Sequence, residues 1–219
     1  MPRLTRKLSP PYDFGWTLRD IASADVVQTA LGDGRREILI NHAPLPGITT
    51  EMLEWWFQNF DGIARYRGRE VPAYHLWHPR DHIKVTFARG RDGRVAPGQR
   101  IMIQEVFGRD PRFEADIRSV IHRWDRRGVG FHHDVFGHRV IELDHVFADT
   151  PAGADYRTRM RVGAGHGPLK GLINGRVVEQ RFNPALVAAW IRHNIEEVGC
   201  FANFLPEVFA AQAIVRPRR

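Results

Sequence analysis

The sequence predicts an α+β fold in which one antiparallel sheet curves around a long C-terminal helix. Three observations carry this expectation. From about residue 73 to 182 the apolar residues recur with the period of two that marks strands. From Asn183-Pro184 onward the period lengthens to that of a helix. No repeat and no low-complexity linker divides the strand region. A sheet curved around a helix leaves a cavity between the two layers.

Residues 1–48 are rich in Pro, Gly and short apolar stretches, and read as a loosely structured lead-in with one short helix. A single domain is expected over 49–219. Thr49 or Thr50 can cap its first helix, with Glu51 well placed in the first turn. Met52, Leu53, Trp55, Trp56 and Phe60 give that helix its apolar face. Ile83, Val85 and Phe87 then alternate with Lys84 and Thr86, and Ile101, Ile103, Glu105 and Phe107 share one face after a Gly-containing turn. Segment 112–124 fits a helix or a strand. Strands are expected at 129–136 and 138–147, either side of Gly137, and at 155–163. Asn183 as N-cap and Pro184 at the first helical position open the last helix, which Pro206 should kink or end.

At 219 residues the chain can bury one sizeable core, and 43% hydrophobic with 26% charged residues is ordinary for a soluble protein. No apolar run is long enough to span a membrane, and the basic N-terminus lacks the apolar stretch of a signal peptide. Cys200 is the only cysteine, which excludes an internal disulfide and a thiolate-rich metal site. A cytoplasmic protein is expected. The net charge of +7 comes from arginines spread along the chain, with short clusters at Arg126-Arg127, at 157–161 and in the tail after Arg216. Neither a motif nor a basic face points to nucleic acid.

The informative residues are polar ones at positions that call for apolar side chains. On the last helix Leu186, Trp190, His193, Glu197, Cys200 and Phe204 form one stripe, while Arg192, Glu196 and Asn203 mark the outward face. His193 and Glu197 are one turn apart, so they meet. A buried carboxylate needs a partner or a metal; a plain His–Glu hydrogen bond is the simpler reading. Glu105 shares parity with core residues, unless an edge or a bulge turns it outward. His145 lies in line with Ile141, Leu143 and Phe147, and Tyr156 with Thr158, Met160 and Val162. The segment Tyr74 to His82 contains three His and an Asp, a pattern suited to a nitrogen ligand with a carboxylate behind it. His132, His133 and His138 flank a hairpin turn and read as solvated. Two His and two Glu would make an N/O ligand set suited to zinc, with iron or manganese as second choices. No His-Glu-x-x-His helix and no phosphate-binding loop is present.

Tyr74-x-x-Trp77-His78-Pro79-x-Asp81-His82, the strand with Glu105, the stretch from Leu143-Asp144-His145 to Thr150-Pro151-x-Gly153 with Tyr156, and His193-x-x-x-Glu197 together resemble the diacetylphloroglucinol hydrolase and phloretin hydrolase family. The resemblance spans roughly residues 40–205. It implies a START-like helix-grip fold, one zinc held by two His and two Glu, and hydrolysis of a carbon–carbon bond between an acyl group and a phenolic ring. Glu105, His193 and Glu197 take three ligand places. His82 is preferred for the fourth because of its spacing from Tyr74, although its parity opposes Ile83 and Val85; His78 is the alternative. Tyr74, His145 and Tyr156 correspond to substrate- and proton-handling residues, with His145 first for acid–base work because a free imidazole titrates near neutrality. The implied partner is a small aromatic or phenolic ketone, with no nucleic acid and no membrane, and a homodimer is left open. The chain is shorter than the family at its N-terminus and before Glu105, which puts the substrate in question more than the chemistry. Ester or amide hydrolysis at the same metal, or non-catalytic carriage of small apolar ligands, are the competing readings.

Overall fold

The computed structural model describes residues 8–135, 137–167, 170–181 and 183–215. The extreme N-terminal basic residues and the arginine tail lie outside the described residues. An eight-stranded antiparallel sheet runs in the order β1-β2-β10-β9-β8-β7-β6-β5. Its strands are β1 (Asp25–Ala30), β2 (Arg36–Asn41), β5 (His82–Phe87), β6 (Arg100–Val106), β7 (Glu114–Asp125), β8 (Gly128–Val135), β9 (His138–Thr150) and β10 (Gly153–Val162). The sheet curves around the helix α4 (Pro184–Ala210), giving the expected helix-grip arrangement. A small sheet of β3 (Ile63–Tyr66), β4 (Arg69–Pro72) and β11 (Ile214–Val215) lies apart from it, and α1 (Thr50–Asn59) and α2 (Tyr74–Trp77) pack against α4. None of the described helices is long and apolar enough to cross a membrane.

Local chemistry explains the ends of these elements. The Thr49 hydroxyl accepts from the Met52 N–H and caps α1, and Asn183 accepts from the Ala185 N–H at the start of α4. Segment 112–124 is a 3₁₀ turn through Phe113 and the strand β7 from Glu114 on, in which Ile121 and Trp124 are buried and Ile117 half-buried while Glu114, Asp116 and Arg118 are exposed.

Four expectations need correction. The lead-in is not loose: β1 and β2 extend the main sheet, with β2 paired to β10 from Arg36 through Asn41. Ile38 and Ile40 of β2 are fully buried, so no boundary at residue 48 separates this segment from the core. At Gly153, with φ +114°, an added Cβ would lie 2.1 Å from the Leu45 carbonyl oxygen. Glycine is what allows Leu45 and Ala154 to exchange backbone hydrogen bonds there. The strand pattern stops at Val162, and α3 (Lys170–Arg181) precedes α4. Finally, α4 runs 27 residues, through Pro206 to Ala210, so of the kink or end expected at the proline the end does not occur.

The core falls into two clusters. One is aromatic, around Trp56, Phe57, Trp77, Phe201 and Phe204. The other joins Ile38, Ile40, Phe107 and Ala115 to Val187, Trp190, Ile191 and Ile195 in the first half of α4. Between the sheet and α4 lies a cavity walled by members of both, with Glu105, His145, His193, Asn194 and Glu197 among its lining residues.

Candidate metal centre and its cavity

His82 and Glu105 are direct partners across β5 and β6, and the register slips between His82 and Lys84. Ile83 is therefore the extra residue of a β-bulge, which breaks the simple alternation. His82, Val85 and Phe87 are buried, whereas Ile83 is only half-buried. The expected stripe of Ile83, Val85 and Phe87 is corrected accordingly, and the parity objection to His82 disappears. From the other side, α4 contributes His193 and Glu197 on its inward stripe.

Four side chains converge. His82 Nε2 lies 3.4 Å from Glu105 Oε1 and 3.3 Å from Glu197 Oε2. His193 Nε2 lies 3.7 Å from Glu105 Oε2 and 3.6 Å from Glu197 Oε2. Each imidazole has its other nitrogen committed: His82 Nδ1 donates to the Tyr74 carbonyl at 2.7 Å, and His193 Nδ1 donates to Asp81 Oδ2 at 3.1 Å. Both therefore turn an Nε2 lone pair inward when neutral. His82 Nε2 is buried and makes no hydrogen bond. Imidazole nitrogen and carboxylate oxygen are a donor set that could hold a metal ion, and His82, His193 and Glu197 group tightly enough to share one. The Tyr74 hydroxyl donates to Glu105.

His78 is engaged elsewhere. Its Nδ1 accepts the Asp81 backbone N–H at 3.1 Å, so Nε2 carries the proton and donates to Glu196 Oε2 at 3.1 Å. Glu196 is thus half-buried against His78 and not a plain outward charge. Asp81, His78 and His193 form a second close group behind the first. His132, expected as solvated, is buried beside His122 and Asp134 on the outer face of the sheet.

Without a cation, the electrostatics of the cluster are strained. Burial pushes the Glu197 carboxyl up to about 8; Glu105 adds to this and His193 opposes it. Burial also raises Glu105. Burial alone would lower His193, but Glu105, Asp81 and Glu197 hold it up at about 9. Two carboxylates forced together in a dry site favour a positive charge between them.

The remaining predicted residues surround this cluster. His145 lines the cavity, and burial lowers its pKa to about 4, so it is neutral at physiological pH rather than titrating near 7. Tyr74 and Tyr156 are both pushed well above the usual phenol value, first by burial and then by nearby carboxylates. The Tyr156 hydroxyl is buried without a hydrogen bond, and its ring lies 5.6 Å from that of His145. Sequence reasoning missed Asn194, which donates to Glu197 Oε1 at 2.6 Å, and His42 and Thr158, which join His145 in a buried chain. The inward parity of Thr158 was visible, but the partner of His42 lies 116 residues away along the chain.

Residues 29–110 match the family model described as DAPG hydrolase PhiG domain, which supports the resemblance to that family and points to a hydrolase. The matched stretch contains Tyr74, His82 and Glu105, and ends before His145, Tyr156, His193 and Glu197. No curated protein matches the chain. Among solved structures, the KanY protein is similar at 8% identity and a TM-score of 0.48, covering 83% of this chain and 98% of that one. Ms6760 from Mycobacterium smegmatis is similar at 11% identity and a TM-score of 0.44, covering 80% and 96%. CalU16 from Micromonospora echinospora is similar at 10% identity and a TM-score of 0.37, covering 82% and 96%. At such values these likenesses carry no argument about activity.

Proposed function

We propose that this chain is a zinc-dependent hydrolase of the DAPG hydrolase family that cleaves the carbon–carbon bond between an acyl group and a phenolic ring. The observation that carries this reading is the inward convergence of His82, Glu105, His193 and Glu197 beside a cavity that also receives Tyr74 and His145. Those four residues would hold the zinc; when bound, it supplies Lewis acidity that offsets negative charge on an oxygen of the acyl centre.

The protein's own groups then account for the proton movements. His145, neutral in its buried position, accepts the proton of a phenolic hydroxyl. Tyr74, kept protonated by its surroundings, gives its proton to the ring carbon that bears the acyl group. The ring becomes a keto tautomer. Water adds to the acyl carbon, and its proton returns to the Tyr74 oxygen. The carbon–carbon bond breaks with its electron pair passing into the ring, and His145 returns a proton to the phenolate. Water's oxygen ends in the carboxylic acid, and the ring carbon keeps a hydrogen. Tyr156 packs against His145 and helps to fix it at the ring.

The cavity walls suit the two halves of such a substrate. Phe57, Phe60, Trp77 and Trp124 offer stacking surfaces for the phenolic ring, and Ile117, Leu143, Met160 and Leu186 offer an aliphatic, half-buried wall for the acyl group. The test is product analysis of the zinc-loaded protein with an acylphloroglucinol in ¹⁸O-labelled water. The expected products are phloroglucinol and a carboxylic acid carrying the label. Turnover of aryl esters with none of the acyl phenol would replace this reading by ester hydrolysis.

A further inference from the structure

The outer face of the sheet, opposite the cavity, carries a second set of metal-ligating side chains. His122 lies on β7 and His132 on β8, and their Nδ1 atoms are 3.5 Å apart. The ring centroids are 5.6 Å apart, which with that gap sets the rings edge to edge, nitrogen facing nitrogen. Each far nitrogen meets a carboxylate. His122 Nε2 donates to Asp144 Oδ1 at 2.8 Å, and His132 Nε2 lies 3.4 Å from Asp134 Oδ2. Asp144 is fixed in turn by Arg159 Nη2 at 2.6 Å. The backbone is shaped around this group. The β7–β8 register shifts between Ile121 and Arg123, so His122 is the extra residue of a β-bulge. Gly130 leaves the space that the pair needs, since a Cβ there would lie 2.5 Å from both Asp144 Oδ1 and His122 Nε2. His132 and Asp144 are buried, and a cleft of about 350 Å³ on this face reaches His132 and Asp134.

We propose that His122 and His132 chelate a divalent transition-metal cation through their Nδ1 atoms, with Asp144 and Asp134 behind them and water from the cleft completing the shell. An imidazole whose Nε2 proton goes to a carboxylate presents a bare Nδ1 lone pair, the arrangement found behind most histidine metal ligands. Burial lowers His132 from the ordinary imidazole value, which favours its neutral, ligating form. Burial would raise Asp144, but its hydrogen bonds from His122 and Arg159 outweigh that and hold it at about 2, so a negative charge stands behind the His122 ring. Two metal–nitrogen bonds of about 2.0–2.1 Å span the 3.5 Å gap with a bent angle at the metal. Two imidazoles and water suit copper, nickel or zinc, with copper bound most tightly. The site shares no residue with the cluster of His82, Glu105, His193 and Glu197, and does not rest on the reading of that cluster.

The test is titration of the zinc-loaded protein with copper(II), followed by calorimetry and electron paramagnetic resonance, with zinc counted before and after. One equivalent of copper should bind with splitting from two nitrogens, while the zinc is retained. His122→Gln and His132→Asn should each abolish that signal, and Asp144→Asn should weaken binding by about 10–100-fold. His133→Asn, one residue along β8, should leave it intact, as should Glu197→Ala, which removes a residue of the other cluster. No added equivalent in the wild type would overturn the proposal and leave a plain hydrogen bond between the two rings. A one-nitrogen spectrum, or a signal that survives in both histidine variants, would overturn it as adventitious binding elsewhere. If the copper signal is as expected but the central cluster holds no zinc, the outer site stands and the zinc reading fails.

Discussion

His82 and Glu105 stand opposite each other in the β5–β6 register, with Nε2 3.4 Å from Oε1 on the cavity side of the sheet. The bulge at Ile83 makes that pairing compatible with the burial of Val85 and Phe87. One inserted residue thus decides whether an imidazole or an aliphatic side chain meets His193 and Glu197.

The carboxylate behind His193 should matter nearly as much as the ligands. Asp81 Oδ2 accepts from His193 Nδ1 and also from the Gly108 N–H at 2.8 Å, which fixes both the ring and the carboxylate. Asp81→Asn should lower zinc affinity by about 10–100-fold without unfolding the protein. Competition with a fluorescent chelator reads this, and an unchanged affinity would remove Asp81 from the account.

Tyr74 touches Glu105 through its hydroxyl, and its ring stacks on His82 at 3.7 Å between centroids. Tyr74→Phe preserves the stack and deletes only the proton. Its kcat should drop by about 10²–10⁴-fold with one zinc retained. Full activity in this variant would assign the proton transfer elsewhere.

Acyl length should be read by the aliphatic wall. Each methylene buried against Ile117, Leu143, Met160 and Leu186 is worth about 0.8 kcal/mol, or roughly fourfold in kcat/KM. Propionyl, butanoyl and hexanoyl phloroglucinols should therefore improve stepwise over acetyl. Leu143→Trp should erase that gain while sparing the acetyl substrate. A flat series in the wild type would show that the acyl group does not lie on this wall.

Acid should destabilise the fold through its buried neutral histidines. Burial lowers His145 to about 4 and His42 to about 3, both from 6.5. A folded pKa below the unfolded one means that the unfolded chain binds protons first as pH falls. The stability these two residues allow is complete above pH 6.5 and is lost progressively as pH falls toward 4 and then 3. His145→Gln should flatten the fall in urea midpoint between pH 6.5 and 4. A slope identical to the wild type would contradict the neutral burial of His145.

Much of the candidate site is legible in the sequence, because its logic is periodic. His193 and Glu197 declare themselves by helical spacing, and Glu105 by strand parity among isoleucines. His82 could only be preferred, since a bulge is a property of two paired strands and leaves no mark in one of them. His78 differs from His82 in that its Nδ1 accepts a backbone N–H, a contact that no sequence pattern records. In the fold, β1 was hidden because it is an exposed edge strand with no buried face. The alternation of Ile38 and Ile40 in β2 was a signal that the surrounding Gly and Pro content masked. The depressed pKa of His145 arises from burial by Phe57, Trp77 and Phe131, which converge only in the folded chain.

The most direct test of the central claim is zinc content, by elemental analysis of wild type and Glu197→Ala, measured alongside acylphloroglucinol hydrolysis. One zinc per chain in the wild type, lost together with activity in Glu197→Ala and restored in neither respect by added magnesium, is the expected result. Wild-type protein that is fully active with no bound metal would contradict the account.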